Sequence, residues 1–91
     1  MSIQWLFDVI EDRKENPSEG SYTSRLFVEG LPKIAQKVGE EATEVIVAAL
    51  AQNDERLIEE VADLTYHTLV LLSARGLTPT HIRKELEKRH K

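Results

Sequence analysis

The chain contains no cysteine. That excludes a disulfide scaffold, a thiolate zinc site and a cysteine nucleophile, and it fits a reducing compartment. Aromatic residues are scarce, at 5%, against 41% for all hydrophobic types, so any core must be mainly aliphatic. Long apolar runs are missing too. The longest fully apolar stretch is Val45–Ala51, far short of the roughly 18 residues that a membrane span needs. Met1-Ser2-Ile3-Gln4 has no basic stretch ahead of an apolar one, so no secretory signal is visible, and a cytoplasmic protein is the expectation. Basic charge is in deficit. Twelve Lys and Arg face 16 Asp and Glu, for a net charge of −4, which argues against nucleic acid as a partner. With 91 residues there is room for one domain spanning 1–91. So small a core makes pairing with a second copy a natural source of stability.

What is present is helical periodicity. Ile3, Leu6, Phe7 and Ile10 recur at spacings of three and four, predicting a helix over 2–15 that Asn16-Pro17 ends. Ser18–Ser21 reads as a loop, and 22–29 as a short helix capped by Ser21 and stopped by Gly30. Pro32 suits the first turn of a third helix. Its Ile34, Val38, Ala42, Val45 and Ala49 fall within about 80° of arc. Gly39 inside it suggests close packing or the approach of a phosphate. Gln52-Asn53-Asp54 breaks the pattern, with Asn53 or Asp54 as the next cap. Residues 55–75 carry Leu57, Val61, Leu64, Thr68, Leu71 and Leu72 on one side. Residues 66–72 are apolar nearly all round, the mark of a helix buried on several sides, here a subunit interface. Gly76 stops that helix. Thr78-Pro79 starts a last one over 79–89 with Ile82 and Leu86 inward. Nothing reads as a strand. The expected fold class is all-α, a four- to five-helix bundle completed by dimerisation.

Charge is unevenly placed. Residues 40–63 hold eight acids (Glu40, Glu41, Glu44, Asp54, Glu55, Glu59, Glu60, Asp63) and one base, Arg56, or −7; the rest has eleven bases and eight acids, or +3. Two matching motifs, Glu40-Glu41-Ala42-Thr43-Glu44 and Glu59-Glu60-Val61-Ala62-Asp63, place carboxylates at i, i+3: Glu41 with Glu44, and Glu60 with Asp63. Such pairs are neighbours on a helix and repel unless a cation lies between them. Helical angles put Glu41 and Glu60 at the borders of their apolar stripes, so antiparallel packing can converge four carboxylates at one rim. All-oxygen ligation suits Mg²⁺ or Mn²⁺. The plainer alternative is a solvated acidic face. A di-iron bundle needs Glu-x-x-His, which is absent. His67 by itself reads as a hydrogen-bonded interior or interface histidine before it reads as a ligand. Lys37 shares the carboxylate side and can either pair with Glu41 or hold a metal-bridged phosphate; Lys33 and Arg25 are further candidates for phosphate. Glycine-rich phosphate loops and nucleophile elbows are absent.

Ser21-Tyr22-Thr23-Ser24-Arg25-Leu26-Phe27, Glu29-Gly30, the Lys33–Glu44 stretch, Glu60–His67 and Leu86–His90 together resemble the phosphoribosyl-ATP pyrophosphohydrolase family. The likeness runs over about residues 5–90. Its acidic pattern is shared with the wider all-α NTP pyrophosphatase superfamily; the Ser-Tyr-Thr segment and the Lys-x-Gly-Glu-Glu context are more specific. The resemblance implies an all-α homodimer that uses Mg²⁺ to hydrolyse the α–β phosphoanhydride of phosphoribosyl-ATP in histidine biosynthesis; the apolar belt at 66–72 leads by itself to a dimer or a dimer of dimers. It implies metal ligands at Glu41, Glu44, Glu60 and Asp63, with Glu40 as a further ligand or, with Glu41, a base for water. It implies phosphate contacts at Arg25, Lys33 and Lys37. Without cysteine for a zinc-dependent cyclohydrolase partner, the chain would be the monofunctional form. Thr65 stands where an apolar residue is expected, which bears on packing. A nucleotide pyrophosphatase acting on dNTPs or noncanonical NTPs, and a non-catalytic helical dimerisation module, are the alternatives.

Overall fold

A computed structural model describes residues 1–90 as five α-helices: α1 (Ile3–Glu15), α2 (Tyr22–Glu29), α3 (Leu31–Ala51), α4 (Asp54–Ala74) and α5 (Pro79–Arg89). Among the described residues there is no strand, and no helix is long and apolar enough to cross a membrane. The ends follow local chemistry. Ser2, Ser21 and Asn53 side chains accept from the backbone N–H three residues on, at 3.0, 3.2 and 2.9 Å, satisfying donors that the first turn leaves free. Gly30 at φ 94° separates α2 from α3, a conformation that side chains other than glycine resist. At the start of α5, the Thr78 N–H donates to His81 Nδ1 at 3.1 Å, a histidine version of the capping box.

α3 and α4 are 21 residues each and are joined by Gln52 and Asn53 alone, which folds them back as an antiparallel hairpin. The core lies at one end of that hairpin, where Ile34 of α3 and Leu69 and Val70 of α4 meet Phe7 and Ile10 of α1 and Leu26 of α2. Lys14 ties α1 down there, donating to the Ser73 carbonyl at 2.9 Å, and Ser73 Oγ donates to Glu11 at 2.8 Å.

The helix positions agree with the periodicity, but the faces are turned. On α3 the buried line is Ile34, Glu41 and Ala48 at sevenfold spacing, while Ala49 is exposed. On α4 the buried residues are Glu60, His67, Leu69, Val70 and Ser73, not the side of Leu57 and Val61. The carboxylate sides of the two helices therefore face each other, and of the expected aliphatic stripes only Ala49 and Val61 are left outside. Ile46, Val47, Leu50, Ile58 and Val61 are all exposed. The apolar belt at 66–72 is largely used by the protomer itself, since Leu69 and Val70 are buried in its own core. Ile82 and Leu86 are not interior either. α5 buries no residue, and both side chains line an open groove of about 490 Å³ with Ile3, Leu64, Thr68 and Leu72. Gly39 has nothing within 4 Å of where a Cβ would stand, so close packing is not its reason. The radius of gyration is 14.2 Å, against about 12 Å for a compact chain of this length.

Candidate metal centre

The hairpin brings three of the four proposed ligands together. Glu41 from α3 and Glu60 and Asp63 from α4 each offer a carboxylate oxygen within 4.8 Å of the other two. Glu41 and Glu60 are buried, at 8% and 5% exposure, and Asp63 sits at the solvent edge. Glu44 stands beside Glu60. Its carboxyl group is the main cause that raises the Glu60 pKa above the ordinary carboxylate value, with burial adding to it and Arg56 opposing. An opening of about 230 Å³ lined by Glu44, Val47, Gln52, Arg56 and Glu60 leads off this side.

Two oxygens decide what the arrangement can hold. Glu41 Oε2 and Glu60 Oε2 are buried without a hydrogen-bond partner. A buried carboxylate oxygen lacking a donor is costly, and converging like charges add to the cost. A hard divalent cation relieves both, and a donor set made wholly of oxygen suits one. The residues present fit such an ion.

Other candidates lie further out. Glu40 is exposed and pairs with Lys37 at 3.7 Å, also accepting from Gln36; the alternative pairing of Lys37 with Glu41 is not formed. Lys33 is half-buried one turn before Lys37. Arg25 lies over the Tyr22 ring, 5.7 Å from its centroid, and lines a separate hollow with Pro17 and Gly20. Two participants escaped the reading of the sequence. Arg56 donates to both Glu59 and Glu60, a pairing its i, i+3 and i, i+4 spacing already signalled. Tyr22 meets His67 across 45 positions of sequence, and no local pattern announces that contact. His67 itself is buried and hydrogen-bonded, as an interior histidine should be.

Residues 4–90 match the family model described as phosphoribosyl-ATP pyrophosphohydrolase. The chain belongs to that family. Curated relatives agree. A protein of Clostridium botulinum named phosphoribosyl-ATP pyrophosphatase is 55% identical over 87 residues, which is 96% of this chain and 79% of the relative. One of the same name from Saccharolobus solfataricus is 54% identical over 89 residues, 98% of this chain and 95% of the relative. Another, from Clostridium acetobutylicum, is 56% identical over 85 residues, covering 93% and 77%. The acidic hairpin thus sits in a family named for cleaving a pyrophosphate bond, on a chain without a cysteine to attack one.

Proposed function

We propose that the protein hydrolyses the α–β phosphoanhydride of phosphoribosyl-ATP, giving phosphoribosyl-AMP and pyrophosphate in histidine biosynthesis. The observation that carries the reading is the carboxylate cluster with two partnerless buried oxygens in a member of this family. Glu41, Glu44, Glu60 and Asp63 would hold Mg²⁺, with Mn²⁺ as a substitute. When bound, the ion supplies charge neutralisation for the polyphosphate and for the leaving pyrophosphate, and acidifies water.

The chain's own residues do the rest. A polyphosphate approaching an acidic hairpin needs cationic side chains as well, and Lys33, Lys37 and Arg25 serve as phosphate contacts, Lys37 by leaving its weak exposed pairing with Glu40. Glu41, with one oxygen lacking a donor, or Glu40 at the solvent side accepts the proton of the attacking water. That water's oxygen bonds to one phosphorus as the bridging anhydride oxygen departs on the other.

Residues 1–91 act as one domain, in the cytoplasm, as a homodimer or a dimer of dimers, without nucleic acid. Exposed Ile46, Val47, Leu50, Ile58 and Val61 at the acidic end of the hairpin supply the apolar area for a second copy. The test is a comparison of turnover on phosphoribosyl-ATP with turnover on a panel of dNTPs, with and without EDTA. Efficient, metal-dependent cleavage of phosphoribosyl-ATP alone is expected. Equal turnover of dNTPs would move the reading to a general nucleotide pyrophosphatase, and no turnover of either would leave a dimerisation module.

A further inference from the structure

Besides the packing of Leu26 in the core, α2 is joined to α4 by two hydrogen bonds between side-chain tips. Tyr22 Oη lies 3.0 Å from His67 Nε2, and Thr23 Oγ1 bonds to the Tyr66 hydroxyl. His67 is buried, at 6% exposure, one helical turn after Asp63. Its Nδ1 is 3.0 Å from the Asp63 backbone carbonyl. A carbonyl can only accept, so Nδ1 carries the proton. In the neutral ring Nε2 is then the acceptor, and the Tyr22 hydroxyl donates to it. The same Nδ1 is 3.9 Å from Glu41 Oε1, too long for a hydrogen bond but near enough to turn the N–H edge of the ring toward that carboxylate. Neighbouring rings fence the imidazole. Tyr22 meets it at 88° with centroids 5.9 Å apart, and Tyr66 at 76° and 5.0 Å. The imidazole cannot turn without giving up both hydrogen bonds.

The arrangement spans three helices. Tyr22 belongs to α2 and carries Arg25 over its ring. His67 and Asp63 belong to α4, and Glu41 to α3. Carboxylates crowded together repel and swing apart unless something behind them holds their position, and ligand sets depend on such backing: its loss commonly lowers metal affinity or activity about 10- to 100-fold.

We propose that Tyr22 and His67 are positioning residues for the carboxylate cluster: Tyr22 fixes the tautomer and rotamer of His67, and His67 sets Asp63 through its backbone and Glu41 through its facing N–H edge. This rests on the reading of the cluster as the cation site. Neither residue is a ligand in this scheme; both act through Asp63 and Glu41. The hydroxyl of the Ser-Tyr-Thr segment thereby acquires a task, which is to register α2 against the cation-holding face of the hairpin.

The experiment is a titration of the full chain with Mn²⁺ alone, read by electron paramagnetic resonance, with thermal unfolding in EDTA followed alongside. Wild type, Tyr22→Phe, His67→Leu, His67→Gln and Glu41→Gln are compared. His67→Leu is expected to weaken Mn²⁺ binding about 10- to 100-fold, and Tyr22→Phe roughly 3- to 10-fold, the worth of one hydrogen bond. His67→Gln recovers most of the loss, because its amide keeps a donor for the Asp63 carbonyl and an acceptor for Tyr22. Turnover numbers fall in the same order, while KM for phosphoribosyl-ATP changes less than about 2-fold. Mn²⁺ affinities of Tyr22→Phe and His67→Leu equal to wild type, with Glu41→Gln impaired, overturn the positioning role and leave the cation site standing. Equal affinity in wild type and Glu41→Gln overturns the cation site, and the positioning role with it. Should His67→Leu fail to fold, Tyr22→Phe decides alone, since it removes one hydroxyl from a ring that is 40% exposed.

Discussion

The two ends of the α3–α4 hairpin are built from the same kinds of residue and put to opposite uses. At the end covered by α1 and α2, Ile34 and Val70 are wholly buried among aliphatic neighbours. Towards the Gln52-Asn53 turn, the inner line carries Glu41 and Glu60, while Leu50, at 83% exposure, and Ile58, at 69%, face out. One end has a packed aliphatic core whose buried side-chain polar groups are hydrogen-bonded. The other has buried oxygens without partners and apolar side chains without cover. Stability is concentrated in the first; in the function proposed above, chemistry and assembly fall to the second, where two buried carboxylate oxygens lack partners and apolar side chains lack cover.

The sharpest way to break this division is to remove a charge at the acidic end. Glu41→Gln and Glu60→Gln should each cut turnover by at least about 100-fold, with thermal stability in EDTA level or higher, because the amide keeps the volume and relieves repulsion. Glu59→Gln is the control. Glu59 is exposed and held only by Arg56, and its loss should change the rate little. A Glu59→Gln enzyme as damaged as Glu60→Gln would sink the assignment of the ligand face.

At the packed end the effect should be on folding. Ile34→Ala is expected to destabilise the protein by about 2–5 kcal/mol in denaturant titrations, with residual turnover per folded molecule close to wild type. Charging the bare end should act on assembly instead. Leu50→Lys with Ile58→Lys is expected to shift sedimentation from a dimer to a single protomer at micromolar concentration while helical content by circular dichroism is kept. If wild type itself sediments as one protomer, the uncovered stripe has another use.

The smallest expected effects are on pH dependence, and they have opposite signs at the two ends. Glu60 has its pKa raised, first by the Glu44 carboxyl. Its contribution to stability is present in acid and is lost as pH rises through that raised value. Glu11 at the packed end behaves in reverse. Burial pushes its carboxyl up, but hydrogen bonds from Lys14 and Ser73 outweigh that and hold it below the ordinary value. Its contribution is present at neutral pH and is lost as pH falls through the lowered value. In EDTA, Glu60→Gln should remove a loss of stability on the alkaline side of the carboxylate range, and Glu11→Gln a loss on the acid side. Each is read from unfolding midpoints across pH.

Element positions were legible because they depend on neighbours in sequence. Ser21, Gly30, Asn53 and Gly76 mark helix ends by bonding or turning locally, and each stands where the structure has it. The pairing of the two acidic motifs was legible for the same reason, since i, i+3 spacing puts carboxylates side by side on any helix. Which face turned inward was not. Counting apolar residues favoured the side of Leu57, Val61, Leu64, Thr68, Leu71 and Leu72 as the inside of α4; Leu71 and Leu72 do pack against the core, but that side is only half-buried and Val61 is exposed, while Glu60 and His67 are buried. Hydrophobic periodicity ranks faces by what water rejects, and it fails where a buried polar group has a use or a stripe awaits another surface.

By itself the sequence determined the five helices, their order, the absence of sulfur chemistry and the concentration of carboxylates in 40–63. Only the tertiary structure decided that Glu41 meets Glu60 and Asp63 with two oxygens unpaired, that Glu40 turns to Lys37, and that Tyr22 reaches His67. The physical reason is range. Caps, turns and helical spacing act over three or four residues, where the covalent chain sets the distance. Contacts between helices depend on how whole faces pack, and that is settled by the sum of many small burial and desolvation terms which no short stretch of sequence contains.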